Sequence, residues 1–292
     1  MLPTLFNLYN ILFSEEECIE FLLENEVLYQ HATCTNCRSP MIRYHTKWRC
    51  PKKTCRQSRS IFRDTLFFKC NLPCNKVLLI GYLWLTKSTL SSIQKMTGHS
   101  TSTITRIVGL FRQLVASDLD EQTPGEDCMI GGEDIVVEID ESKFFNPHTT
   151  SSRTNAQVGW IFGGVERTEE RRLFVEYVQD RSADILLSII HRRVHPGSII
   201  LSDCWMAYSN IQSQLGIQHF NVNHSRSFVD PLSGAHTNTI EGTWHGLKLA
   251  IPQRERSESK ISGYLLEFIW RRKNQDHEWE SLLQCLSNIA FI

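Results

Sequence analysis

Three carboxylates, Asp140, Asp203 and Glu241, lie far apart in the chain, and each sits on a strong secondary-structure signal. Asp140 follows Ile135, Val136, Val137 and Ile139, a β-branched run with the composition of a buried strand. A carboxylate where a central strand leaves the core is rigidly held yet reaches water, which suits a metal ligand. Asp203 closes SIILSD, a second buried strand entered through the Pro196-Gly197 turn. Glu241 lies in TNTIEGTWHGLKLAI, where Glu241, Trp244 and Lys248 share one helical face. Together the acids offer hard oxygen ligands for Mg²⁺ or Mn²⁺, and paired ions of that kind suit in-line substitution at phosphorus. Lys248 is the expected phosphate anchor. Asn238 rivals Glu241 as third ligand, because an amide oxygen also binds a hard cation. Glu138 and Glu141 flank Asp140 and are expected on the opposite face of its strand. Taken singly, Asp140 and Asp203 also read as strand-end turn residues, and Glu241 as a solvated helix residue.

A second constellation is softer. Cys34 and Cys37 are separated by two residues and Cys50 and Cys55 by four, with a strand-like stretch between the pairs. Four thiolates in this spacing form the closed tetrahedral site of a zinc ribbon, which leaves no open position for substrate. The Zn²⁺ would therefore be structural. The plainer alternative is four buried thiols. His31 and His45 are spare ligands, and Cys70 and Cys74 form a looser pair around Pro73.

The elements that must position these groups divide the chain into five stretches. Residues 1–33 form an N-terminal helical segment with a capping box over Ser14–Glu17. The zinc ribbon occupies 34–75. Residues 76–116 turn helical, and a short helix, the Thr97-Gly98-His99 turn and a longer helix capped by Ser100 outline a helix-turn-helix. On that reading Ser102, Thr103 and Arg106 face DNA. The alternative is a helical hairpin that packs against its neighbours. An acidic linker fills 117–133, and 134–292 is the remaining domain. Three strands in series, followed by alternating helices and strands, give an α/β, ribonuclease-H-like mixed sheet flanked by helices. Such a sheet sets its first and fourth strands side by side. The tail is expected to close this domain with one amphipathic helix.

Composition narrows the function classes. With 292 residues and 41% hydrophobic content the chain supports several cores. It lacks an apolar run long enough for a membrane helix, and its N-terminus does not read as a signal peptide. Ten cysteines in a chain of this length fit a reducing compartment. A net charge of -1 excludes a uniformly basic nucleic-acid binder. The charge is nevertheless segregated, with a basic stretch from Cys34 to Cys74 and an acidic one from Asp118 to Asp134.

Several blocks resemble a known family: VVEIDESKF, VGWIFGGVER, DRSADILLSII, PGSIILSDCWMAY, VNHSRSFVDPLSGAHTNTIEGTWHGLK and LLEFIWRR. Between Asp134 and about Lys273 they recur in the order seen in Merlin-type DDE transposases of eukaryotes and their bacterial insertion-sequence relatives. The resemblance implies cut-and-paste DNA transposition with Asp140, Asp203 and Glu241 as the acidic triad. It also implies action on transposon ends and target DNA in the nucleus, as a homodimer or larger assembly. Two other readings keep the same fold: a host-retained DNA-binding protein derived from a transposase without cleavage activity, and a ribonuclease or resolvase.

Overall fold

The structure is a computed structural model that describes residues 2–122, 129–144, 159–222 and 237–288. It divides into two compact units, Met1–Asp118 with Asn274–Ile292, and Leu119–Lys273.

In the first unit α1 (Tyr9–Phe13) and α2 (Glu15–Glu24) are separated by Ser14, whose Oγ accepts the Glu17 N–H at 3.4 Å and caps α2. Strands β1 (Ile42–Tyr44), β2 (Lys47–Arg49) and β3 (Ser58–Ser60) form a small antiparallel sheet in that order. Helix α3 (Cys74–Leu85) is buried almost all round. After α4 (Leu90–Thr97) the chain turns at Gly98, whose φ of 71° lies in the left-handed region that glycine adopts most easily. Ser100 Oγ then accepts the Thr103 N–H at 3.2 Å to start α5 (Thr101–Gln122). This helix runs into the stretch expected to be linker. Val115, Asp118 and Leu119 continue the buried stripe of Phe111 and Leu114, so packing outweighs the acidic composition. The rest of that linker up to residue 128 lies outside the described residues.

The second unit runs β4 (Val136–Lys143), β5 (Trp160–Glu166), β6 (Leu173–Val178), α6 (Ala183–Arg193), β7 (Ile199–Ser202), α7 (Ile211–Leu215), β8 (Gln218–Asn221), α8 (Asn238–Ala250) and α9 (Glu258–Lys273). Its sheet has the order β6-β5-β4-β7-β8, antiparallel across β6-β5-β4 and parallel across β4-β7-β8. This is the ribonuclease-H-like mixed sheet expected from the sequence. Val137 and Ile139 turn to a core with Phe162, Leu186, Ile190 and Ile200. On the other face Phe144, Ile161 and Val165 meet Ile240, Trp244 and Leu265. Strands β5 and β6 thus serve two cores by alternation.

Between β7 and β8 the stretch CWMAYSNIQSQLG forms a 3-10 turn at Met206–Tyr208 followed by α7. Asp203 Oδ1 accepts the Trp205 N–H at 2.9 Å and holds a turn where a helix would begin. The tail forms two helices rather than one. After α9, Asp276 adopts a φ of 68°, and α10 (Glu278–Asn288) belongs to the first unit. There Trp279 packs its ring against Phe21 and Tyr82, with centroids 6.5 and 5.9 Å apart. Among the described residues no helix is long and apolar enough to cross a membrane.

Candidate active site

The pairing of β4 with β7 brings two acids level. Val136, Val137 and Glu138 stand opposite Ile199, Ile200 and Leu201. Two residues further along each chain are Asp140 and Asp203. Helix α8 carries Glu241 in its first turn. Asp140, Asp203 and Glu241, with Ile139 and Thr237, line one pocket of about 210 Å³. Asn238 is exposed at the first residue of α8 and is not among the lining residues.

The pocket is electrostatically loaded. Burial, the largest cause, pushes the Asp140 carboxyl up to about 6, and the charges of Asp203 and Glu241 add to the effect. Working against them, Trp244 Nε1–H donates to Asp140 Oδ2 at 2.8 Å and fixes the carboxylate's orientation. The close approach of this indole needs Gly163, which pairs with Asp140 across β4-β5. A Cβ at Gly163 would come within 2.9 Å of both Trp244 Cη2 and the Phe174 carbonyl oxygen. The Glu241 carboxylate accepts the Thr237 hydroxyl at 3.5 Å.

The sequence reading missed the residue that fastens α8. Glu138 is two residues from Asp140, not one, so it shares the Asp140 face rather than opposing it. It is fully buried and accepts Arg167 Nε–H at 2.6 Å. Its other oxygen accepts the Thr239 and Ile240 N–H groups at 2.9 Å each. A carboxylate on unsatisfied amides at a helix N-terminus is doubly favourable, for the hydrogen bonds and for the helix dipole. The strand that carries Asp140 therefore also holds the turn that carries Glu241. The period-two spacing of Glu138 and Asp140 was the available signal. Glu141 does face the other way, and burial pushes its carboxyl up to about 7.

Lys248 is exposed two turns beyond Glu241, with Nζ 5.7 Å from the centre of the Phe144 ring. It is not among the lining residues of the acid pocket.

Among the described residues, one cluster brings four metal-type donors within 4.8 Å of one another: Cys34, Cys37, Cys50 and Cys55. The sulfurs of Cys34 and Cys55 are 3.5 Å apart, and those of Cys37 and Cys50 3.4 Å. A tetrahedral zinc with bonds of ~2.3 Å needs sulfurs roughly 3.8 Å apart, so the four residues fit that ion. Hydrogen bonds from Ser39 hold the Cys37 thiol down to about 6, and Cys55 is lowered through Gln57. Burial pushes Cys50 up to about 12. His31 and His45 are exposed and outside this cluster. Cys70 and Cys74 do not form a pair: Cys70 Sγ donates to the Leu66 carbonyl and Cys74 Sγ to that of Glu15.

Ser102 and Arg106 lie exposed on α5 and Thr103 is half-buried. The Ser102 and Thr103 hydroxyls hydrogen-bond with Ser100 Oγ at 3.0 and 2.9 Å, so both belong to the helix cap. On the ribbon Arg38, Lys47, Arg49, Lys52 and Arg56 are exposed, while Arg43 pairs with Glu20 at 2.7 Å.

No curated protein matches this chain. Among solved structures it is similar to a chain of the simian T-cell lymphotropic virus intasome in complex with PP2A regulatory subunit B56 gamma. That match has 14% identity, covers 66% of this chain and 67% of that one, and has a TM-score of 0.34. It is also similar to a chain of a pre-cleavage Mos1 transpososome (12% identity, 72% and 78% coverage, TM-score 0.27) and of the Mos1 transposase paired-end complex with the left transposon end (14%, 73% and 79%, 0.29). Residues 131–273, the stretch that contains Asp140, Asp203 and Glu241, match the family model of the ISXO2-like transposase domain.

Proposed function

We propose that this protein is a Merlin-type DDE transposase that binds transposon ends and carries out metal-dependent strand cleavage and transfer. The observation that carries the reading is the single pocket shared by Asp140, Asp203 and Glu241. Their oxygen donors suit Mg²⁺ or Mn²⁺, and a divalent cation would favour the ionised form of an Asp140 carboxyl that burial chiefly, and the charges of Asp203 and Glu241 in addition, hold up. When bound, such ions supply Lewis acidity to the phosphoryl group and lower the pKa of an attacking water or hydroxyl.

The chain's own residues provide placement. Trp244 holds Asp140 in one orientation, Glu138 ties α8 to β4, and Lys248 offers a point charge for phosphate beyond the acids. The zinc ribbon and the α4-α5 pair, with Ser102, Thr103 and Arg106, supply the DNA-holding surface, supported by the exposed basic residues of the ribbon. The test is Mn²⁺-dependent cleavage of duplex DNA bearing candidate ends, comparing the parent with Asp203→Ala. Loss of cleavage in the variant is expected, and equal cleavage by both removes Asp203 from the mechanism. A parent that binds such DNA without cutting it would instead favour the non-cleaving, host-retained reading.

A further inference from the structure

Beside the acid pocket is a group of side chains that metal chemistry does not use. The Arg181 guanidinium carbon lies 3.8 Å from the centre of the Trp160 ring and 4.6 Å from that of Trp205. The turn that carries Arg181 is closed just before α6, where Asp180 Oδ1 accepts the Ser182 N–H at 2.8 Å. The Trp205 backbone is fastened beside the acids, since its main-chain N–H donates to Asp203 Oδ1. Even with Arg181 against it, Trp205 remains 42% exposed, and Met206 next to it is 85% exposed. A large indole and a thioether left in water beside an acidic pocket cost solvation and contribute little to the core.

The chemistry of the group selects its ligand. With indoles over the guanidinium, the donors of Arg181 project from its edge, where they meet phosphate or base acceptors. The exposed indole offers a flat apolar surface and Met206 a polarizable one, which together suit an aromatic heterocycle. Bases inside an intact duplex have both faces covered by their neighbours, so only an unpaired base can stack here.

We propose that Trp205 and Met206, backed by Arg181 and Trp160, form a stacking platform for an unpaired nucleobase next to the phosphate held at the acids. The inference rests on reading that pocket as a phosphodiester site. It makes the substrate a DNA strand locally opened at the point of attack.

The full chain with its zinc would be titrated with a fluorescent oligothymidine single strand and, separately, with a duplex of equal length. Trp205→Ala is expected to weaken single-strand binding about tenfold, with Trp205→Phe restoring most of it and duplex binding nearly unchanged. A parallel loss in both titrations, or none in either, overturns the proposal. Photo-crosslinking of the unaltered protein to an iodouracil-containing single strand needs no variant to fold. Adducts at Trp205 or Met206 support the platform, and adducts only elsewhere overturn it. Mn²⁺-dependent cleavage in the same preparations separates the two readings. If the parent cuts and Trp205→Ala binds and cuts as the parent does, the platform alone is wrong. If the parent does not cut while Trp205→Ala loses single-strand binding, the transposase reading fails and the platform stands.

Discussion

Replacing Glu138 with alanine tests whether one buried carboxylate holds the acid-bearing helix to the central strand. The substitution removes the acceptor for Arg167 Nε–H and for the Thr239 and Ile240 amides at once. Breaking a buried ion pair from one side costs about 3–5 kcal/mol, and each orphaned buried amide about 1–3 kcal/mol. Arg167 keeps 23% of its side chain exposed and can regain water, and the α8 amides can be rehydrated as the cavity fills. The net loss should therefore be about 3–4 kcal/mol. For a unit of this size that lowers Tm by roughly 6–16 °C. Glu138→Gln, which keeps the shape and one carbonyl oxygen, should cost about half as much. Urea unfolding of the full chain measures the loss, and amide hydrogen exchange at Thr239 and Ile240 reports it locally. Because Glu241 sits in the same turn, Mn²⁺ affinity should fall with it. A Glu138→Ala protein within about 1 kcal/mol of the parent, with unchanged exchange at those two amides, would refute the reasoning.

Gly163→Ala should destabilise by about 1–3 kcal/mol and weaken Mn²⁺ binding, because the added methyl meets backbone at Phe174 as well as the Trp244 ring that orients Asp140. Thermal unfolding and metal titration check the two effects. In the metal-free protein Asp140 and Glu141 have raised pKa values of about 6 and about 7, so they favour the folded state most below about pH 4. That contribution is lost as pH rises through 6 to 7, and urea unfolding at pH 5 and pH 8 should differ by about 4 kcal/mol in favour of pH 5. Saturating Mn²⁺ should reverse the order, since it favours the ionised carboxylates. Purified protein should carry one zinc per chain by metal analysis, and Cys37→Ser should lose it together with the cooperative unfolding of the small sheet.

The sequence by itself determined the local features whose physics is short-range. The cysteine spacings marked the ribbon, and the β-branched run before Asp140 marked a central strand. Ser14 and Ser100 marked helix starts that the structure repeats in hydrogen bonds. The serial strands followed by alternating elements were enough to read the mixed sheet. Other features depended on partners distant in the chain, and only tertiary structure decided them. Parallel pairing of β4 with β7 set Asp140 level with Asp203. Burial of Val115 and Leu119 turned an acidic stretch into helix, and the apolar face of α10 took the tail into the first unit. The role of Glu138 depended on helix amides a hundred residues away meeting its carboxylate. Propensity and spacing act through neighbouring bonds, whereas the burial of a charge is settled only when the chain has folded around it.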